Sequence, residues 1–310
     1  MELENFVRMT TVSVVTGSSS VTLKKRIDPS QLKKLWRDEL DLDISAELEG
    51  VEDIALYECN DTGVQFFTPA TVSGSEALYQ QLEKFPWYYM PHKWEYDVAA
   101  RDLTGASRVL EIGCGRGDFL QRLVSQGKKA TGLEINPSAV AAARAQNLDV
   151  ISADLSSYAA ANKGAFDAVC AFQVLEHFSD PRAFLDAAVL LLKPGGRLLV
   201  GVPNRQSFLE HIDNPLDLPP HHMLRWSAES FERLAGFFAL DVERIRFEPL
   251  CAYHVPAYLL AVRNRLARIG LLSGEWFVRP LLFSLRTVLH LGLRRFCTGQ
   301  TLYVVLRART

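Results

Sequence analysis

VLEIGCGRGDF, residues 109–119, is the stretch whose reading decides the fold. Val109, Leu110 and Ile112 form an apolar run of strand character, with Glu111 inside it, and Gly113, Gly115 and Gly117 follow at every second position. Glycines placed this way after a strand form a turn whose backbone can approach a ligand closely. The dinucleotide fingerprint G-x-G-x-x-G requires a third glycine where this chain has Asp118. A phosphate-cradling loop requires G-K followed by Ser or Thr, which is missing here. The acid two residues before Gly113 narrows the ligand further. A carboxylate at the end of a strand repels a pyrophosphate and favours a cationic group.

The pattern becomes regular from Arg108 onward. Strands are predicted at RVLEI, ATGLEI, DVISA, FDAVCAF, RLLVGVPN, LDVERIRFE and QTLYVVLRA. Between them the spacing predicts four helices. RGDFLQRLVSQG ends at Gly127, PSAVAAARAQN has Pro137 in its first turn, PRAFLDAAVLLLKPGG stops at Pro194 and Gly195, and SAESFERLAGFFA precedes the sixth strand. Strands alternating with helices of this length imply an α/β fold, a doubly wound Rossmann-like sheet of seven mostly parallel strands. Ligands of such sheets sit beyond the carboxyl ends of the strands, where Gly113–Gly117 falls.

Four regions are expected. Residues 1–80 read as an N-terminal α+β extension, a candidate substrate or cap region. It holds a helix from Pro29 with Leu32, Leu35, Trp36 and Leu40 at helical spacing, a hairpin in ALYECNDTGVQFF, and a turn and helix starting at Ser75. Residues 81–250 are the ligand-binding core, 251–298 a helical insertion, and 299–310 the last core strand.

Two more acids end successive strands. Glu134 follows ATGL, where a carboxylate accepts from ribose hydroxyls, and Asp154 follows ISA, placed for an adenine amino group with Leu155 near the ring. A ligand with an adenosine, a cationic centre and no phosphate is S-adenosyl-L-methionine. At these residues the chain resembles the class I S-adenosylmethionine-dependent methyltransferases, within them the branch of ubiquinone-biosynthesis O-methyltransferases and tailoring enzymes for sugars and natural products. EIGCGRG, GLEI, SADL, FDAVCAFQVLEHFSDP and LLKPGGRLLVGVPN carry the resemblance, and PHHMLRWS is similar to a segment of that branch. It covers roughly residues 80–250 and 300–308. It implies that Glu111, Gly113, Cys114, Gly115, Gly117, Glu134, Ile135, Asp154 and Leu155 line the cofactor, with Gln173 near its methionine portion. It further implies methyl transfer to a small acceptor: a hydroxyl of a sugar, glycolipid precursor or natural-product intermediate. N-methylation of a small amine and a non-catalytic cofactor-binding partner protein are the alternatives.

Methyl transfer from a sulfonium needs alignment, and a base only where the acceptor loses a proton. His177, which follows Glu176, and His221 and His222, in a proline-bounded loop, are the candidates. Relatives in the ubiquinone branch use E-x-x-E-H here for a divalent cation. This chain has Gln173 in place of the first acid, so no metal is predicted. KFPWYYMPHKWEYD, residues 84–97, is dense in aromatics, and Pro86 and Pro91 disfavour one continuous helix. Tyr88, Tyr89, His92, Lys93 and Trp94 are expected to form a lid, with Tyr88 and Lys93 on the cofactor.

Residues 251–297 hold Arg263, Arg265, Arg268, Arg279, Arg286, Arg294 and Arg295 against only Glu275. Leu259, Val262, Leu266 and Ile269 fall on one helical face, as do Val278, Leu281, Leu282, Leu285 and Leu289. Such a pair of basic amphipathic helices suits a cap over the acceptor, a homodimer surface or peripheral contact with a membrane. The rest of the chain is ordinary. A formal net charge of −2 and the lack of an N-P-P-Y-like motif after the fourth strand argue against nucleic acid. The five cysteines form no C-x-x-C pair, so neither a disulfide framework nor a zinc knuckle is expected. No basic region leads into an apolar core at the N-terminus, and the expected location is the cytoplasm.

Overall fold

The computed structural model describes residues 11–270 and 275–310. The leader expected to be missing therefore falls largely outside the described residues, as does the side chain of Val278. The N-terminal region contains β1 (Val21–Ile27), α1 (Pro29–Leu40), β2 (Ile54–Cys59), β3 (Gln65–Thr68) and α2 (Glu76–Leu82). The alternating part runs α3 (Trp94–Asp102), β4 (Arg108–Ile112), α4 (Asp118–Ser125), β5 (Lys129–Leu133), α5 (Pro137–Ala145), β6 (Val150–Ile151), α6 (Leu155–Ala161), β7 (Phe166–Phe172), α7 (Pro181–Leu191) and β8 (Leu192–Pro203). It continues with β9 (Leu224–Arg225), α8 (Ala228–Leu234), β10 (Leu240–Pro249), α9 (Val255–Arg268), α10 (Glu275–His290) and β11 (Thr298–Ala308).

The main sheet has seven strands in the order β10-β11-β8-β7-β4-β5-β6. The pairs among β8, β7, β4, β5 and β6 are parallel, and β11 is antiparallel to both of its neighbours. Side chains alternate across it. Leu110, Ile112, Val169 and Ala171 join one apolar cluster, and Val109, Ala168, Cys170 and Phe172 join the other. Both faces are thus covered, which is why these strands read as near-continuous apolar runs. The period places Glu111 on the same face as Val109, at the end of β4.

A second sheet, in the order β1-β2-β3-β9, is antiparallel. Its last strand is taken from the PHHMLRWS segment: Phe66 pairs with Leu224 and Gln65 with Arg225. Residues 1–80 and the core are therefore joined by a strand that the core contributes. Trp36 of α1 is fully buried and donates from Nε1 to the Pro219 carbonyl at 3.1 Å, fixing the other side of the same segment.

Local signals account for most helix starts. Asp28, Asn136 and Asp180 each accept from a backbone N–H two or three residues ahead, and Pro29, Pro137 and Pro181 occupy the first helical positions. Helix α7 stops at Leu191, ahead of Pro194, because residues 192–196 already belong to strand β8. Ser75 starts α2, accepting from Leu78 N at 3.2 Å and donating to Glu47 at 2.6 Å. Ser75→Ala is expected to cost about 1 kcal/mol, read as a lower urea midpoint with an unchanged slope.

Helices α9 and α10 pack on the turn Phe208–His211 through Phe208, Leu209, Leu250, Val255, Ala261 and Leu289. Of the faces expected to be apolar seams, Leu259 and Leu285 are half-buried against this cluster, whereas Ile269 and Leu281 are exposed. No helix among the described residues is long and apolar enough to cross a membrane.

Candidate active site

Strand β4 delivers Gly113, Gly115 and Gly117, all at positive φ (68°, 52° and 86°), into a turn ahead of α4. At Gly113 a Cβ would stand 2.4 Å from Val174 Cγ2, so only glycine lets the strand-β7 loop close over this turn. At Gly115 a Cβ would meet the Tyr89 ring at 3.0 Å, and the Arg116 guanidinium lies 4.9 Å from the centroid of that ring. Of the residues expected to form a lid, Tyr89 is the one whose ring lies over the glycine turn. Tyr88 turns the other way, its ring 6.1 Å from that of His221. His92 is exposed, and Trp94 packs edge-on against Tyr303.

Glu134 links two turns. Its Oε2 accepts from Gly115 N at 2.9 Å, and its Oε1 from Ile135 N at 2.8 Å and Asn136 N at 2.9 Å. A carboxylate has about four acceptor sites, so capacity for a further donor remains. Ile135 is 76% exposed next to it. Asp154 caps α6, accepting from Ser157 N at 2.8 Å, and that hydrogen bonding holds its carboxyl below the ordinary range. Leu155 is buried behind it. Cys114 is buried against Gly132, and burial first, then the Glu111 and Glu134 charges, push its thiol up into an unreactive state.

Glu111 is 2% exposed, and its Oε2 has no hydrogen-bond partner. Burial raises its carboxyl well above the usual range, against the pull of Lys93. The same ammonium opposes the burial of Glu95 and Glu176. Lys93 therefore faces three buried acids. Gln173 leaves β7 at φ +58°, unusual for a residue with a side chain. Its N–H donates to Gly201 O at 2.7 Å and its Nε2 to Glu95 at 3.1 Å, which hold the strained turn.

The three histidines converge. Met223 N donates to the Glu176 carbonyl at 2.8 Å, and Phe67 N donates to the Met223 carbonyl at 2.9 Å, so the His221–His222 pair is strapped between β3 and the turn Leu175–His177. Ring centroids lie 4.6 Å apart for His177 and His221, 4.9 Å for His177 and His222, and 4.5 Å for His221 and His222. His177 Nδ1 is 2.7 Å from the His221 carbonyl, and His221 Nδ1 is 2.9 Å from the Leu216 carbonyl. A carbonyl only accepts, so Nδ1 carries the proton in both rings and Nε2 keeps its lone pair. Burial depresses all three imidazoles, His177 to about 4, and keeps them neutral. Glu176 is 1% exposed with neither oxygen hydrogen-bonded, and burial pushes it up to about 8.

Sequence reasoning did not assign Glu95, Tyr79, Glu176 or Asp217 to the site. The Tyr79 hydroxyl lies 3.3 Å from His177 Nδ1, and Asp217 Oδ1 lies 3.6 Å from His222 Nδ1 while its Oδ2 accepts from Arg225 at 2.7 Å. The adjacency of Glu176 to His177 was a usable signal; Tyr79 and Asp217 come from distant turns.

A family model described as a methyltransferase domain matches residues 86–243. The chain belongs to the methyltransferase-domain family. Among curated methyltransferases, the ubiquinone biosynthesis O-methyltransferase of Xanthomonas oryzae pv. oryzae (strain PXO99A) is 37% identical over 121 residues, 37% of this chain and 50% of that protein. The chain thus spans about half the length of this relative. The protein of that name from Xanthomonas axonopodis pv. citri is 32% identical over 177 residues, 51% of this chain and 74% of its own. A solved S-adenosylmethionine-dependent methyltransferase from Archaeoglobus fulgidus has 19% identity and a TM-score of 0.46, covering 68% of this chain and 94% of its own.

The residues of this methyltransferase domain fit S-adenosyl-L-methionine. The orphaned Glu111 oxygen is a buried acceptor at the end of β4, suited to an ammonium donor. Glu134 retains acceptor capacity toward ribose hydroxyls, and Gly115 allows a close approach beneath Tyr89.

Proposed function

We propose that the protein transfers the methyl group of S-adenosyl-L-methionine to a hydroxyl oxygen of a small organic acceptor. One observation supports this reading above others: the His221–His222 pair converges on Glu176 and His177 of the loop that follows the Gln173 turn, the loop whose Val174 lies against Gly113. Acceptor-side chemistry and cofactor-side residues are thus two steps apart along one loop. When bound, the cofactor supplies a methyl group already activated on a sulfonium.

The remaining work belongs to the chain. Glu134, Asp154 and Glu111 hold the cofactor, and Tyr89 covers the glycine turn. Gln173, fixed by Glu95, sets the loop between the two halves. His177, anchored through Nδ1, presents an unprotonated Nε2 that orients the acceptor hydroxyl and draws its proton. Tyr79 and Tyr88 wall the histidine side and exclude water. Oxygen acceptors, as in the printed names of the curated relatives, suit this lone-pair-rich site; a sugar, a glycolipid precursor or a natural-product intermediate fits the class. The exposed Leu281, Phe283, Leu291 and Phe296 of the insertion, beside Arg286, Arg294 and Arg295, favour an acceptor presented at an anionic lipid surface.

Calorimetric titration with S-adenosylmethionine and S-adenosylhomocysteine, followed by transfer of labelled methyl to a panel of hydroxyl and amine acceptors, tests the reading. Glu134→Ala is expected to weaken both ligands by about tenfold or more, the loss of one charge-assisted hydrogen bond. Tight binding with no transfer to any acceptor would favour a cofactor-binding partner, and transfer confined to amines would favour N-methylation.

A further inference from the structure

We infer that Glu83 is a positioning residue for the cofactor: its carboxylate latches residues 84–89 to the turn that carries Glu134, and this latch sets how fast the spent cofactor leaves. Glu83 directly follows α2, and its side chain crosses to the start of α5. Its Oε2 accepts from the Ser138 hydroxyl at 2.9 Å, and its Oε1 accepts from Asn136 Nδ2. The Ser138 oxygen is also 2.9 Å from Asn136 Oδ1. A hydroxyl has one proton, and a carboxylate is the stronger acceptor, so that proton goes to Glu83. Helix α5 has no acid in its own first turn. The negative charge favoured at a helix start is supplied here by Glu83, from across the fold.

The far end of the same segment lies on the glycine turn. A Cβ on Gly115 would meet the Tyr89 ring at 3.0 Å, and the Tyr89 hydroxyl donates to Glu83 Oε1 at 3.5 Å. Burial first, then the Glu83 and Glu134 charges, push this phenol up, so it stays a donor. Between the two ends the chain is folded on itself. Tyr88 N donates to the Phe85 carbonyl at 3.0 Å, and the Phe85 and Trp87 rings stack 4.9 Å apart. The segment is thus held at its root by two charge-assisted hydrogen bonds and at its tip by one long contact. The turn that receives the root also serves the ligand: Glu134 Oε1 accepts from Asn136 N at 2.9 Å while the Asn136 side chain donates to Glu83. Residues 84–89 therefore bridge Glu134 and the glycine turn, the two places assigned to the cofactor, and exchange of the cofactor requires them to lift. The inference rests on cofactor binding at the glycine turn and is independent of the acceptor.

The test is release of S-adenosylhomocysteine from the immobilised full chain, followed by surface plasmon resonance. Glu83→Ala is expected to raise the dissociation rate constant about tenfold, as charge-assisted hydrogen bonds are lost. Glu83→Gln should stay within about threefold of the parent chain, because the Ser138 hydroxyl can turn, accepting from the new amide and donating to Asn136 Oδ1. Ser138→Ala alone should raise the rate about threefold. On top of Glu83→Ala it should add less than about 1.5-fold, since both changes break one contact. Should Glu83→Ala unfold, Ser138→Ala, at an exposed position, decides. Unchanged release in both alanine variants, or release as fast in Glu83→Gln as in Glu83→Ala, would overturn the latch while leaving the cofactor site intact. A parent chain that binds no S-adenosylhomocysteine would overturn the cofactor reading and the latch with it.

Discussion

Replacing His177 by alanine is expected to lower kcat/KM for methyl transfer by about 10²–10⁴-fold, the range of a lost positioned proton-transfer group, while S-adenosylmethionine affinity changes by less than about twofold. The expectation follows from where the ring is tied. His177 Nδ1 is anchored to the His221 carbonyl, and the Glu176 carbonyl is in turn held by Met223 N, so the imidazole is fixed at the place proposed for the acceptor and hydrogen-bonds to none of Glu111, Glu134 or Asp154. The ring also organises its neighbours: without it, the His221 carbonyl loses a hydrogen bond in a buried place and the Tyr79 hydroxyl loses its nearest ring nitrogen. Steady-state kinetics and calorimetry on the same preparation separate the two effects. An equal loss of cofactor affinity and turnover would show that His177 serves the glycine side instead, and the assignment of the acceptor side would fall.

Gly113→Ala should lower stability by about 2–5 kcal/mol. Two costs add. An L side chain in the left-handed region loses about 1–2 kcal/mol, and at φ +68° Gly113 lies inside that region. The new methyl would also stand 2.4 Å from Val174 Cγ2, and overpacking of this kind costs about 1–3 kcal/mol. For a chain of this size the melting temperature should fall by roughly 3–8 °C. The double variant Gly113→Ala/Val174→Ala removes the clash and leaves the backbone cost, so it should recover about half of the loss. No recovery in the double variant would mean that Val174 yields freely and that the left-handed backbone alone demands glycine at this position.

The sheet was legible because its signals are local. Leu110 and Ile112 alternate with Val109 and Glu111, Pro137 and Pro181 start helices, and the glycines of 113–117 occupy backbone conformations that only the sequence of small residues permits. The acids at the ends of β4 and β5, and Asp154 just beyond β6, were legible for the same reason: a strand end points its last side chains at the ligand edge of the sheet. Asp154 shows the limit of the argument, since its carboxylate is also the cap of α6, a local use that spacing alone does not separate from ligand binding.

The amino-acid sequence by itself determined the strand–helix alternation, the glycine turn and the three acids around it, since each depends on residues a few positions apart. Only the tertiary structure decided what faces them. His177 and His221 are 44 residues apart, and Tyr79 is 98 residues from His177. They meet because the PHHMLRWS segment is spent as the edge strand β9 of the N-terminal sheet, a pairing made by backbone hydrogen bonds that leaves no period in the sequence. The orphaned oxygens of Glu176 and the shared pocket of three neutral imidazoles exist only once that strand is in place, because burial and the direction of a lone pair are properties of the packed chain.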